Sequence, residues 1–383
     1  MYGQHFSSAS VQTLVSIEWN RLFADETMMS NCSKFLFTNG VISTPAETPS
    51  AATLLEAHPG AYTTTRTHNN GSQILFWERH LRRLSNSVRI LLHSNPKLLF
   101  EVPKSTAPYS SMLTSSPLWD SLIQSLVNDS MRKVMPAVLK ERKNEEELAI
   151  TSLVSGNLDS FREAEGLNEE NIFRSFNVYV HVGGYVPKEF GILENGAHLA
   201  VVGCGRELAN AKYSDWVRQR KLLEKLRPPS VNELLLSNDG DKILEGCLTN
   251  FFVVCCKEEK GNTNCFEIQT APLSDGVLPG IIRQVIFDVC SRNGILVREV
   301  APSWSKREMW TEAFISNSLR IMQHVETIQF PKSMETLEEK TWNEVIWEEK
   351  KFEGTPGKIT AFIQEEVMKL AGLEGYPVTL FND

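Results

Sequence analysis

No apolar run in this 383-residue chain approaches the ~20 residues that a membrane helix requires, which argues against a spanning segment. Basic residues are not in excess either: 39 Lys and Arg face 47 Asp and Glu, and a formal net charge of -8 speaks against a nucleic-acid binder. The seven cysteines contain no CxxC pair and match no zinc spacing. Buried, reduced thiols in a reducing compartment are therefore expected. His80 and His181 have no metal-ligand spacing around them, so no metal site is expected. No Walker loop, nucleophile elbow or paired-carboxylate motif occurs, and Gly203-Cys204-Gly205 reads as a strand-end turn rather than a dinucleotide fingerprint. The N-terminus has no basic stretch followed by an apolar core. Its first Lys or Arg is Arg21, with Glu18, Asp25 and Glu26 nearby. A secretory signal is thus not expected and an Arg-rich transit peptide is disfavoured; a cytoplasmic location is expected, with an organellar address left open.

What is present suits a globular enzyme. Hydrophobic residues make up 42% and charged residues 22%, and the length allows two domains with sizeable cores. KFLFTNGVI reads as a strand with a turn at Asn39-Gly40. AYTTTRT and SQILFWE read as a hairpin around Asn69-Asn70-Gly71, followed by a helix in which Leu81, Leu84, Val88 and Leu91 fall at helical spacing. WDSLIQSLVNDSMRKVMPAVLKER predicts a helix that Pro136 kinks or ends. ELAITSLVSG and FNVYVHVGGYV predict neighbouring strands, separated by an acidic surface insertion at about 157–171. AHLAVVGCG and TNFFVVCCK predict strands, and NELLLSNDGDKILEG a hairpin. VLPGIIRQVIFDVCSRNGI predicts a helix with Pro279 near its start, and EAFISNSLRIMQHV a strand entering a tight loop. TPGKITAFIQEEVMKLAG predicts a helix capped by Thr355 with Pro356 in first position. The expected organisation is an appended segment (1–32), a small α+β domain (33–184), a Gly/Pro-containing linker (185–196) and a larger α/β domain (197–383).

The chemistry concentrates at 207–254. Lys212 opens an apparent helix, and thirty-three residues later Glu245 stands in the strand-turn-strand context EGCLTNFFVV. A lysine forms an imine with an aldehyde, and a buried carboxylate keeps a pyridine nitrogen protonated; a pyridoxal-phosphate enzyme needs both. LPGIIR opens a helix whose first N–H groups suit a phosphate.

Four motifs in order, the RHLRRL helix, Lys212, EGCLTNFF with LPGIIR, and ISNSL, resemble the class IV (fold type IV) pyridoxal-phosphate enzymes. That group includes D-amino acid aminotransferases, branched-chain aminotransferases and aminodeoxychorismate lyases. The resemblance runs from about Ser33 to the C-terminal helix and implies two α/β domains, the larger a pseudo-barrel, with pyridoxal 5'-phosphate between them in a homodimer. It implies that Lys212 binds the cofactor and moves the substrate proton, and that Glu245 pairs with the ring nitrogen. It further implies that Arg83, the Ile281 and Ile282 amides and Ser318 hold the phosphate, and that Tyr62 lines the substrate wall. Three positions depart from the pattern. Ile282 replaces a usual threonine, Thr63 a usual glutamate, and Val217 stands where branched-chain enzymes carry tyrosine. Neither ELAITSL nor NVYVHVGG holds the arginine-histidine pair that traps the substrate carboxylate in bacterial D-amino acid enzymes. The resemblance therefore leans to the D-amino acid aminotransferase-like and lyase-like branch. The expected activity is transfer of an amino group from a small amino acid to a 2-oxo acid. Lyase-type β-elimination on the same fold and a non-catalytic descendant are the alternatives.

Overall fold

The computed structural model describes residues 34–43, 48–100, 119–142, 146–157, 174–256, 266–354 and 356–381. The appended N-terminal segment, nearly all of the expected insertion and Thr355 lie outside them.

Strand β1 (Phe35–Thr38) turns through Asn39 and Gly40, at φ of 51° and 78°, into β2 (Val41–Ile42). Two successive positive φ values match the twist of a hairpin, and asparagine-glycine is the pair that adopts them at least cost. Ser50 caps the short helix α1 (Ala51–Ala57) through the Thr53 N–H. The second hairpin, β3 (Ala61–His68) and β4 (Gln73–Ile74), turns at Asn69-Asn70-Gly71. Its return arm is only two residues long, because helix α2 already begins at Trp77 and runs to Ser94. That helix buries Leu81, Leu84, Val88 and Leu91, the stripe predicted from spacing. Helix α3 (Trp119–Glu141) carries Pro136 inside it rather than ending there. Strands β5 (Glu147–Gly156) and β6 (Phe176–Tyr185) pair antiparallel over ten residues each, giving the order β4-β3-β5-β6-β1-β2.

A buried imidazole in this sheet gives a stability prediction. His181 on β6 donates its Nε2–H to the Pro49 carbonyl at 3.1 Å, and burial pushes its pKa from the ordinary 6.5 to about 4. Between those values the unfolded chain holds a proton that the folded chain lacks, so lowering the pH favours unfolding. The contribution is complete above pH 6.5 and is lost as the pH falls through about 4. Denaturant titrations from pH 7 to 4 should show a stability slope that His181→Asn reduces by about one proton, roughly 1.4 kcal/mol per pH unit.

The second sheet comprises β7 (Ala197–Gly203), β8 (Glu233–Leu236), β9 (Asn250–Cys256), β10 (Phe266–Thr270), β11 (Val297–Glu299), β12 (Trp310–Asn317) and β13 (Ile321–Pro331). Its order is β11-β10-β9-β12-β13-β7-β8. β14 (Trp347–Lys351) pairs with β13 off this path. Parallel ladders (β10–β11, β13–β7, β7–β8) mix with antiparallel ones. Within 204–226 lies only a short helix, α4 (Trp216–Gln219), followed by a 3-10 segment at Arg220–Leu226. Helices α5 (Ile281–Arg292) and α6 (Lys358–Leu373) cover one face, packing Val285, Ile286, Ile363 and Val367 against the stacked rings of Phe252 and Phe314.

Helix α5 begins at Ile281 with Gly280 as N-cap, which leaves Pro279 near its start as expected. Helix α6 begins at Lys358 with Gly357 as N-cap, not at Pro356. Its orphan donors are met from across the sheet: the Glu312 carboxylate on β12 accepts the Ile359 N–H at 3.1 Å and the Thr360 N–H at 2.7 Å. After α6 the chain returns to the first sheet, where β15 (Tyr376–Pro377) pairs with β4. Arg79 on α2 forks onto Glu374 at 2.7 Å and meets Asp288 of α5 at 2.8 Å, tying the two groups of elements together.

Candidate active site

The lysine expected to open a helix lies four residues before one, in an irregular connection. Strand β3 captures it: the Tyr62 N–H donates to the Lys212 carbonyl at 2.9 Å, and Ala61 bridges Tyr213. Ser214 continues the seam through its N–H to the Gly60 carbonyl and its hydroxyl to the His58 carbonyl. On the other side the Lys212 N–H donates at 3.1 Å to Ser87 Oγ, which itself donates to the Arg83 carbonyl. The backbone of Lys212 is thus fixed between β3 and α2. Its ammonium lies 4.5 Å from the centre of the Tyr62 ring.

Lys212, Tyr62, Arg83, Glu245, Ile281, Ile282 and Ser318 all line one cavity, of about 1100 Å³ including its open mouth. The structure therefore brings together all seven residues singled out from sequence. Glu245 is almost fully buried and its carboxylate is shared out completely. Oε1 accepts Arg206 Nε at 2.9 Å and also its Nη2, while Oε2 accepts the Leu278 N–H at 2.9 Å and faces Asn250 Nδ2 at 3.4 Å. Asn250 Nδ2 also donates to the Leu278 carbonyl at 3.0 Å, and its Oδ1 lies where any β-carbon at position 280 would go. That close approach is what requires glycine at the N-cap of α5. Glu245 and the start of α5 are consequently one rigid unit.

The first N–H groups of α5 have no acceptor within the helix, and Gly280 offers no side chain to meet them. Across the cavity stands Arg83. Its Nη2 donates to Thr63 Oγ1 at 3.0 Å, while Nε has no partner among the described residues. Burial pulls its pKa down to about 10. Ser316 Oγ is likewise buried and unpartnered on the cavity wall, two residues before Ser318. A buried guanidinium, unoccupied amides and a spare hydroxyl around one space call for an anion with several acceptor oxygens.

The charges also act on the lysine. Burial, then Arg83 and Arg206, lower its pKa against the opposing pull of Tyr62, which raises the share of free amine. Burial alone would raise the Tyr62 pKa, but Lys212, Arg220 and Arg206 outweigh it and the net shift is downward. Burial pushes the Glu245 carboxyl up, opposed by Arg206 and the Leu278 N–H.

A class IV aminotransferase family model matches residues 60–328, more than half the chain. The chain belongs to the class IV aminotransferases. It is accordingly a pyridoxal-phosphate-dependent enzyme. Solved structures share the fold at low identity. The branched-chain aminotransferase of Escherichia coli is 19% identical, with 87% of this chain and 92% of that one covered and a TM-score of 0.54. A branched-chain aminotransferase of Thermoproteus uzoniensis, solved with norvaline, is 17% identical over 90% and 99%, TM-score 0.55. A hypothetical aminotransferase of Mycobacterium tuberculosis in its PLP-bound form is 16% identical over 88% and 98%, TM-score 0.54. No curated protein matches the sequence significantly.

The donor set fits the cofactor of this aminotransferase family. Arg83 and the α5 amides suit a phosphate, the buried amine of Lys212 an aldehyde, and the Glu245 carboxylate a ring nitrogen. Arg206, Asn250, Trp216 and Arg220 also line the cavity and were not singled out from sequence. Asn250 lies within the EGCLTNFF motif, so a reading of that motif's last polar residue could have found it.

The departure at Thr63 has a structural counterpart. Arg83 only donates to the Thr63 hydroxyl, and His80, held neutral by burial, sits 2.7 Å away through Nδ1. The Thr63 hydroxyl thus links the Arg83 guanidinium to the His80 ring. Thr63→Val strands a buried donor of Arg83 and a ring nitrogen of His80. Denaturation should show a loss of about 1–3 kcal/mol, with cofactor dissociation several-fold faster, and Thr63→Ser should restore both.

Proposed function

We propose that this enzyme transfers an amino group from a small amino acid to a 2-oxo acid, with Lys212 as the catalytic residue. The observation that carries the reading is the shared cavity. It holds a buried amine with a lowered pKa, a buried carboxylate and the open end of α5. Bound pyridoxal phosphate supplies the electron sink that stabilises negative charge on the substrate α-carbon. The Lys212 amine would hold the cofactor through its aldehyde carbon and, when free, would be the base that takes the proton from the substrate α-carbon and carries it to the cofactor carbon. The Arg206–Glu245 pair holds a carboxylate at the ring-nitrogen position. Arg83, the Ile281 and Ile282 amides and the hydroxyls of the 316–318 turn grip the phosphate, and Tyr62 keeps Lys212 on its side of the cavity. Two lobes joined at 185–196, assembled as a homodimer, are the proposed architecture.

The deciding experiment supplies amino acids with and without a 2-oxo acid. A transaminase consumes the 2-oxo acid in equal amount to the donor. Pyruvate release from aminodeoxychorismate with no acceptor present would instead support β-elimination.

A further inference from the structure

Two side chains from the segment around Lys212 reach back to the turn that carries Glu245. Arg206, six residues before the lysine, gives both Nε and Nη2 to Glu245 Oε1, the first at 2.9 Å. Trp216, four residues after it, donates its indole Nε1–H to the Cys247 carbonyl at 2.7 Å. The Cys247 N–H is itself held by the Leu234 carbonyl at 2.8 Å. The Arg206 guanidinium carbon then lies 5.4 Å from the centre of the Trp216 ring. These contacts close a loop that runs Arg206, Glu245, Cys247, Trp216 and back to Arg206. Both Arg206 and Trp216 line the cavity, and both are buried.

Core packing explains part of this arrangement, since the indole also belongs to a cluster with Ala200, Val202 and Leu234. Packing alone requires neither directed contact. An aromatic face stabilises a guanidinium without competing for its N–H groups, so Arg206 keeps its donors on the carboxylate. The bond to Cys247 pins the turn after Glu245, in which the Gly246 N–H closes on the Thr249 carbonyl at 2.8 Å. Trp216 thus holds Glu245 twice, through its counter-charge and through its backbone. It does so from the same short segment that carries Lys212.

Resting on the reading above, in which Lys212 takes the aldehyde and Glu245 the ring nitrogen, we infer that Trp216 is a positioning residue. It fixes the Glu245 carboxylate relative to Lys212 and so sets how strongly the site prefers a ring that bears a nitrogen. The indole acts through Arg206 and the Cys247 turn, not on the reacting atoms.

The test measures dissociation constants of the full chain for pyridoxal phosphate and for its 1-deaza analogue, in which C–H replaces the ring nitrogen. Aldehyde and phosphate are the same in both, so the ratio of the two constants isolates the nitrogen end. The unaltered protein should prefer pyridoxal phosphate. Trp216→Phe keeps a ring over Arg206 but loses the N–H donor, and the preference should shrink about 5-fold. Trp216→Leu loses both contacts, and the preference should shrink about 10- to 50-fold. A tryptophan that only fills the core would weaken both ligands alike and leave the ratio unchanged, which overturns the inference. So does a ratio that survives with both constants unaltered. Denaturation midpoints report any general loss of stability, and if Trp216→Leu does not fold, Trp216→Phe decides alone. No preference in the unaltered protein would overturn the reading of Glu245 and this inference with it; a preference that survives substitution overturns the role of Trp216 only. Neither constant depends on turnover. A loaded enzyme that moves no amino group would therefore sink the transaminase reading and leave a shrunken ratio as support for Trp216.

Discussion

Replacing Lys212 with alanine is expected to lower amino transfer by about 10⁴-fold or more, because one side chain serves as both nucleophile and proton carrier. Borohydride treatment should fix pyridoxal phosphate covalently to the unaltered chain and leave Lys212→Ala unlabelled, with peptide mass spectrometry locating the adduct. The fold should survive. The Lys212 backbone bonds to Tyr62 and Ser87 do not involve its side chain, and removing a buried amine relieves the repulsion from Arg83 and Arg206. Lys221 and Lys225 provide an internal control. The first pairs with Glu56 and the second reaches the Glu338 carbonyl, so neither is free to replace Lys212. A covalent adduct on Lys212→Ala, or unlabelled native protein with full activity, would sink the assignment.

Much of this site was legible because its parts are local motifs. Lys212, EGCLTNFF, LPGIIR and RHLRRL each occupy a few consecutive residues, and their order alone carried the family. What the sequence concealed is non-local. Arg206 lies one residue before the stretch beginning at Glu207, and its only sign of importance is a carboxylate thirty-nine residues away. Arg220 stands in RQRK, which reads as a solvated basic face until the fold turns one member inward. The predicted helix start at Lys212 failed for a related reason. AKYSDWVRQRK has helical composition, yet β3 offers its edge to Tyr213 and Ser214, and strand pairing outweighs propensity there. The predicted start of α6 at Pro356 failed because Glu312, on a distant strand, meets the first amides of a helix that begins at Lys358.

Glu245→Gln tests the buried pair from both sides, stability and chemistry. The carboxylate accepts Arg206 through one oxygen and the Leu278 N–H through the other. An amide can satisfy only one of these, since its NH₂ end would face a donor. The Arg206 side chain, only 8% exposed, would then be a buried cation without a counter-charge. Breaking a buried pair in this way typically costs about 3–5 kcal/mol, so denaturant unfolding should shift strongly toward lower midpoints. Adding Arg206→Met to Glu245→Gln removes the stranded charge and should recover much of that stability. It should not recover turnover, because no carboxylate then faces the ring-nitrogen position; kcat should stay about 10²- to 10³-fold down, near the loss expected when a positioned charge is removed from a dry site. The two variants therefore separate the roles. If stability and turnover return together in the double variant, Glu245 serves only to neutralise Arg206. If stability returns and turnover does not, Arg206 is the holder and Glu245 acts on the cofactor.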